Sequence, residues 1–298
     1  MMEFLAELRE SITEFVRSGL PEPQASLLLG MVLGVKSGFP SEFYEALRTT
    51  GTLHVVVVSG FNISVIINTL ARMLVFLPLW GRLVFTGVFV VLFVLLVGPE
   101  APVVRAAIMG LTALLGTVLG RQKDALRVLL LATAVMLTFN LRWLGEISFQ
   151  LSFLATLGLV VILPLLDRIL PGKKILLRED FLTTFSAQLM VWPLIAYQFG
   201  QVSLLSPVVN TLVLWTVPII TYIGMVTTTI GLLISNISGL IMVPARLFLD
   251  YFIWIVERFS RLKMGFFEVS PFSFPMILFY FLILGGGLWF LYLRSTQN

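Results

Sequence analysis

Polar side chains recur within an otherwise apolar stretch of the chain, Thr52 to Arg72. The polar or small members of this stretch are His54, Ser59, Gly60, Asn62, Thr69 and Arg72. If the whole stretch is one helix at about 100° per residue, His54 and Arg72 share one azimuth and the polar side chains occupy less than half of the surface. Because polar groups in a bilayer usually face a bundle interior or a water-filled path, the pattern predicts a membrane helix with a polar stripe along such a path.

The composition places this stretch in a membrane protein. The chain has 298 residues, of which 58% are hydrophobic and 12% are charged, and its mean hydropathy is +1.00. Soluble domains carry about twice that fraction of charged residues. Cysteine is absent, which excludes disulfides and thiolate metal sites, and one histidine argues against histidine-rich metal centres and most Ser-His chemistry. We predict a polytopic membrane protein with no bound metal and no cofactor.

The acidic residues also argue against catalysis. Glu100, Glu146, Asp167 and Asp180 are spread along separate loops. The sequence shows no pair of carboxylates, no nucleophile with a base and no phosphate-binding loop. We therefore predict that the chain is not an enzyme.

The apolar segments predict an all-α bundle of about eight to nine transmembrane segments. Besides the stretch above, they lie near 83–97, 103–120, 125–141, 147–167, 182–199, 204–234, 238–260 and 273–293. A spanning helix needs about 20 apolar residues, so 204–234 is too long for one simple span and too short for two. Because Pro207 and Pro218 interrupt its hydrogen bonding, we predict a broken or re-entrant pair there.

The N-terminal part predicts two shorter helices. Residues 2–18 repeat apolar side chains at helical spacing between charged ones, which indicates an amphipathic helix that either lies in the membrane interface or packs like a helix of a soluble protein. Residues 24–35 are apolar but too short to span, which suits a re-entrant or buried helix. We divide the chain into an amphipathic interfacial helix at 1–20 and one transmembrane domain at 22–298.

Loop charge predicts the orientation. The loops richest in lysine and arginine contain Arg82, then Arg121, Lys123 and Arg127, then Arg168, Lys173, Lys174 and Arg178. The side with more positive loops is cytoplasmic. With 204–234 counted as two half-helices, His54 lies at the outer mouth of the first stretch and Arg72 lies at its inner end.

Arg105 stands at the start of a predicted helix near the outer interface. Three interpretations remain open for it. Its side chain snorkels to the interface, or it pairs with Glu100 or Glu146, or it contacts a phosphate, whose oxygens match the fork of guanidinium donors.

Four other polar residues in apolar segments also have packing alternatives. Gln150 needs a partner across helices or water. Ser152 belongs to a seam of small residues that favours helix packing. Gln188 and Asn210 either hydrogen-bond between helices or line a cavity beside the broken segment.

Short motifs in order over roughly residues 25–220 resemble the membrane core of the ComEC competence-protein family. They are Ala25 to Gly34, Gly51 to Asn62, Val104 to Met109, Gly120-Arg121, Phe149 to Phe153, Gln188 to Pro193, and Tyr197 to Ser203 with Asn210. Asn62 stands where this family usually has a second histidine, so a possible charge is missing there. Full-length relatives usually carry an OB-like and a metallo-β-lactamase-like domain, and we expect both to be absent from this chain.

The resemblance implies a multi-pass protein of the bacterial cytoplasmic (inner) membrane that conducts one strand of DNA during natural transformation. It implies single-stranded DNA as the cargo, an external DNA receptor and nuclease, and a cytoplasmic helicase-type motor as partners. The DNA path that we predict contains His54, Ser59, Gly60, Asn62, Arg72, Arg105, Gln150, Ser152, Gln188 and Asn210. The alternatives are a small-solute or lipid transporter on the same fold and a non-conducting scaffold subunit.

Overall fold

A computed structural model describes residues 2–56, 59–121, 124–170, 176–233, 238–262, 265–269 and 272–297. Lys123, Lys173 and Lys174 of the predicted positive loops lie outside these ranges. So do residues 57 and 58 of the first stretch and residue 234 of the predicted broken segment.

The described chain is mostly helical, which confirms the predicted fold class. The helices are α1 (Met2–Gly19), α2 (Gln24–Leu33), α3 (Ser41–Thr50), α4 (Gly60–Met73), α5 (Leu79–Val97), α6 (Ala101–Val118), α7 (Ala125–Phe139), α8 (Ile147–Ile169), α9 (Leu176–Phe199), α10 (Ser206–Val213), α11 (Thr216–Leu233), α12 (Ser238–Ile241), α13 (Val243–Ser260) and α14 (Phe274–Gln297), with a short 3-10 helix at Leu141–Gly145. Two strands were not predicted: β1 (Gln201–Ser203) pairs antiparallel with β2 (Phe266–Glu268) and joins the connections before α10 and α14.

Four described helices are long and apolar enough to cross a membrane: α5, α6, α8 and α14. The bent pair of α10 and α11 would add a fifth. The predicted number of about eight to nine spans is not confirmed. The reason is that α2 and α7 are too short, α4 has only 14 residues, and α13 carries charged side chains such as Arg246 and Asp250.

The segment predicted as a broken pair is indeed bent, by 45° between α10 and α11. The break lies at residues 214–215, whereas Pro207 and Pro218 lie in the first turns of the two helices. Proline is tolerated in a first turn because its missing N–H has no partner within the helix there. At the break, the Trp215 ring contacts Phe248 and Tyr251 of α13, which covers the bend with aromatic side chains.

Helix α2 lies in the largest hydrophobic core of the described residues, which agrees with the predicted re-entrant or buried helix. Every residue from Ala25 to Leu33 is buried, and α2 contacts α1, α11 and α13. The apolar side of α1 packs on this core through Ile12, Phe15 and Val16, while its charged side is mostly exposed.

We expect Gly158→Ala to weaken the packing of α8 on α9. A Cβ at Gly158 would collide with the backbone carbonyl oxygen of Ser186, and backbone cannot move aside as a flexible side chain can. Overpacking of this kind costs about 1–3 kcal/mol of unfolding free energy. Thermal unfolding of the purified protein in detergent, followed by tryptophan fluorescence, measures the loss.

The matched control is Gly286→Ala on α14, where a Cβ would meet no atom within 4 Å. Alanine is favoured over glycine inside a helix by about 1 kcal/mol, so this variant should lose no stability. Equal melting temperatures for the two variants would contradict the predicted collision.

Candidate functional site

Arg105 lies where the N-terminal parts of three helices meet. Its Nη1 donates a hydrogen bond of 2.7 Å to the carbonyl oxygen of Ser152, in the second turn of α8. Its Nη2 faces Gly60, the first residue of α4, at 3.1 Å from the position that a Cβ would take. The structure thus brings together Gly60, Arg105 and Ser152 of the predicted path, and Ser59 directly precedes Gly60.

Gly60 makes this close approach possible. A Cβ at this position would also lie 3.3 Å from the Ala106 Cβ and 3.6 Å from the Pro102 carbonyl oxygen. A side chain at position 60 would therefore press on the guanidinium and on the first turns of α6.

The charge of Arg105 is not neutralised by any carboxylate of the described residues. Its side chain is buried at 9% exposure, and its Nε has no hydrogen-bond partner. Glu100 instead pairs with Lys36 at 2.7 Å, and no ion pair joins Arg105 to Glu146. Of the three interpretations left open for Arg105, pairing with Glu100 or Glu146 is not seen among the described residues, and the burial argues against snorkelling.

One side of α4 is exposed along its whole length and is mostly polar. The opposite side, with Ile63, Ile66 and Ile67, is buried against α5 and α6. The exposed residues at helical spacing are Phe61, Ser64, Asn68 and Arg72. Because they are three or four residues apart, they share an arc of about 80°. We call these four residues the α4 outer face.

The α4 outer face differs from the stripe predicted from the sequence. The prediction that Thr52 to Arg72 forms one helix is wrong, because residues 52–56 form turns and α4 begins at Gly60 after an extended Ser59. His54 is exposed in the turn and shares no azimuth with Arg72. Asn62 is buried on the other side of α4, where its Nδ2 donates to the Met31 carbonyl oxygen of α2 at 3.0 Å.

Sequence reasoning missed Ser64 and Asn68. The signal was available, since the three isoleucines at positions 63, 66 and 67 mark the buried side of the helix and Ser64 and Asn68 point away from it. The predicted stripe was instead aligned on the azimuth of His54, which lies before the helix.

Gln188 and Asn210 lie in a separate polar cluster where α10 begins. Gln188 Nε2 donates to the Ser203 carbonyl oxygen at 3.1 Å, and Asn210 Nδ2 donates to Ser206 Oγ at 2.9 Å. Ser206 Oγ donates in turn to the Gly51 carbonyl oxygen at 3.3 Å. The Ser206 bond joins α10 to Gly51 at the end of α3, and the Gln188 bond joins α9 to β1. The Asn210 bond stays within α10, so neither residue forms the expected hydrogen bond between two helices.

Gln150 bonds within its own part of the chain. Its Nε2 donates to the Leu144 carbonyl oxygen at 2.7 Å, one turn before α8. The amide therefore has a partner in the adjacent 3-10 helix.

The groups at this site suit non-covalent binding. No group of three His, Asp or Glu side chains among the described residues could hold a metal ion. Along α4 the site offers the buried guanidinium of Arg105, the helix N-terminus, the Ser64 hydroxyl, the Asn68 amide and the exposed guanidinium of Arg72. Such groups bind anions and form hydrogen bonds.

Comparisons with known proteins agree on one relationship. The family model described as Competence protein matches residues 31–294. ComE operon protein 3 of Bacillus subtilis (strain 168) is 26% identical over 284 residues, which are 93% of this chain and 35% of that protein. The chain thus spans about a third of the length of this relative. No solved structure matches.

Proposed function

Because the chain belongs to the competence protein family, we propose that it conducts single-stranded DNA across the bacterial cytoplasmic membrane during DNA uptake. The α4 outer face is the observation that supports this proposal most directly. It is an exposed, mostly polar surface on a helix whose neighbours α5 and α6 are long and apolar enough to span. Polar side chains at membrane depth are costly unless they face protein or a water-filled path.

The groups along α4 suit a strand of nucleic acid. A single strand carries about one negative charge per nucleotide, and proteins that bind it regardless of sequence combine cations with aromatic surfaces for the bases. Arg105 and Arg72 supply the cations at the two ends of α4, about 18 Å apart. Phe61 supplies an exposed ring, and Ser64 and Asn68 supply hydrogen-bonding groups between.

Several weak contacts serve transport better than one tight site, because the strand must also leave. In the orientation predicted from loop charge, the strand passes Arg105 first and reaches Arg72 on the cytoplasmic side. The α4 outer face is open in the single chain, so the path is complete only where another polypeptide covers it.

We propose that the driving force comes from a cytoplasmic helicase-type motor, since the sequence has no phosphate-binding loop for ATP. An external DNA receptor and a nuclease would deliver the strand. These partners belong to the activity of a full-length competence protein, of which this chain would form the membrane part.

We expect Asn68→Leu to lower DNA uptake about 10-fold. The substitution makes the middle of the α4 outer face apolar, and a polar strand loses hydrogen bonds worth about 1–1.5 kcal/mol while its phosphates pass a dry surface. The measurement is the amount of labelled DNA that becomes protected from external DNase, at equal amounts of protein in the membrane.

The control for Asn68→Leu is Thr138→Leu on α7, which also replaces an exposed polar side chain but lies away from α4. It should leave uptake unchanged. Normal DNA uptake by Asn68→Leu would reject the path along α4. Uptake of a small anionic solute that depends on Asn68, with DNA uptake unaffected, would instead favour a solute transporter.

A further inference from the structure

We propose that Arg105 and the first backbone amides of α4 bind one phosphodiester group, the monoanion that links two nucleotides. We call Arg105 with the amides of Gly60, Phe61 and Asn62 the phosphate seat. The inference rests on the proposed function, because a passing DNA strand is what brings phosphodiesters to this place.

Within the described residues, the first backbone donors of α4 have no acceptors. The first hydrogen bond of the helix runs from Ile63 N to the Ser59 carbonyl oxygen at 3.4 Å, and the Ser59 side chain forms no cap. The amides of Gly60, Phe61 and Asn62 thus have no acceptor among the residues described. Free amides at the positive end of a helix dipole attract anions, phosphate above all.

Arg105 points into the same place and is the independent observation. It is nine-tenths buried, its Nε has no partner, and its Nη2 lies against Gly60. A cation is unfavourable beside a helix N-terminus, and a buried charge without a counter-ion is strongly destabilising. Within the described chain no carboxylate offsets it, because Glu100 is held by Lys36. An anion bound by the guanidinium and the amides would compensate both the charge of Arg105 and the positive end of the α4 dipole.

Gly60 sets how closely Arg105 approaches the first turn of α4. Without a Cβ, Nη2 can lie against the α4 backbone, because a Cβ there would be only 3.1 Å from it. In the proposal, Nε and Nη2 both donate to oxygens of one phosphate beside this turn. Two polar contacts from Arg105 and up to three amides suit a singly charged, two-oxygen group. A membrane lipid carries the same phosphodiester chemistry, so the test must separate the two sources.

The probe is a fluorescent thymidine dinucleotide, which contains a single phosphodiester, and its methylphosphonate counterpart, in which that linkage is uncharged. The full chain is purified in maltoside detergent, which contains no phosphate. We expect the wild type to bind the phosphodiester form at least about 10-fold more tightly than the methylphosphonate form, as a charge-assisted hydrogen bond predicts.

Two variants test the residues of the seat separately. Arg105→Gln keeps a hydrogen-bonding side chain, and Gly60→Ala keeps the arginine but puts a methyl group 3.1 Å from Nη2. Each should abolish the preference for the charged linkage. Thermal unfolding identifies a variant that fails to fold, and the other variant then decides. If both fold and retain the 10-fold preference, the phosphate seat is overturned.

Further measurements distinguish DNA from lipid as the source of the phosphodiester, and the phosphate seat from the proposed conduction path. Short-chain phosphatidylglycerol that displaces the dinucleotide, when longer oligonucleotides do not, would overturn the assignment to DNA in favour of lipid. If DNA uptake depends on Asn68 but neither variant changes the phosphate preference, the seat fails and the proposed function stands. If the dinucleotide binds as expected but uptake is normal in both variants, the seat stands and the conduction path fails.

Discussion

Arg105→Leu is expected to lower DNA uptake about 10- to 100-fold, the range that follows from one lost contact to a charged group, worth about 1.5–3 kcal/mol. Every nucleotide that follows the path must pass this position, so the loss acts at each step. Leucine fills a similar volume at the meeting point of α4, α6 and α8, but it offers no donor to a phosphate or to the Ser152 carbonyl oxygen.

The effect is measured as labelled DNA protected from DNase, beside the amount of DNA bound at the cell surface. Surface binding should be unchanged, because an external receptor supplies it. Arg142→Leu is the matched control, since Arg142 is exposed in the short 3-10 helix after α7 and lies away from α4. Wild-type uptake by Arg105→Leu at a normal membrane level would remove Arg105 from the path.

Gly51→Ala is expected to lower the free energy of unfolding by about 3 kcal/mol, the sum of two independent penalties. Gly51 ends α3 with φ +69°, a left-handed conformation that costs other residues roughly 1–2 kcal/mol. A Cβ there would also lie 2.7 Å from the Ser206 Cβ, and such overpacking adds about 1–3 kcal/mol. Gly51 therefore allows α10 to pack closely against the end of α3.

Gly120→Ala separates the two penalties. Gly120 has φ +64°, almost the same backbone conformation, but a Cβ there meets nothing within 4 Å. It should lose only the roughly 1–2 kcal/mol of backbone strain. Denaturation of both variants in mixed micelles gives the difference, and equal losses would show that Ser206 does not constrain Gly51.

The helical class was predictable from the sequence, and so were the position of most helices, a re-entrant or buried α2 and a bend near residues 206–233. Each of these depends on local properties: the length of an apolar run and its spacing relative to the helix period. The family resemblance depended equally on short contiguous motifs. The number of spans was less predictable, because a run of apolar residues has the same composition whether it crosses a membrane or ends inside the protein.

Which polar residues come together depends on contacts between distant parts of the chain. Helix α4 begins at Gly60 because the preceding turn is held elsewhere, with the Val56 carbonyl packed against Gly30 of α2 and Gly51 against Ser206 of α10. These contacts join residues far apart in the chain, so no periodicity reveals them. They remove His54 from the helix and leave Ser64 and Asn68 on its exposed side. They also bring Arg105, distant in sequence and without a counter-ion among the described residues, to the first turn of α4.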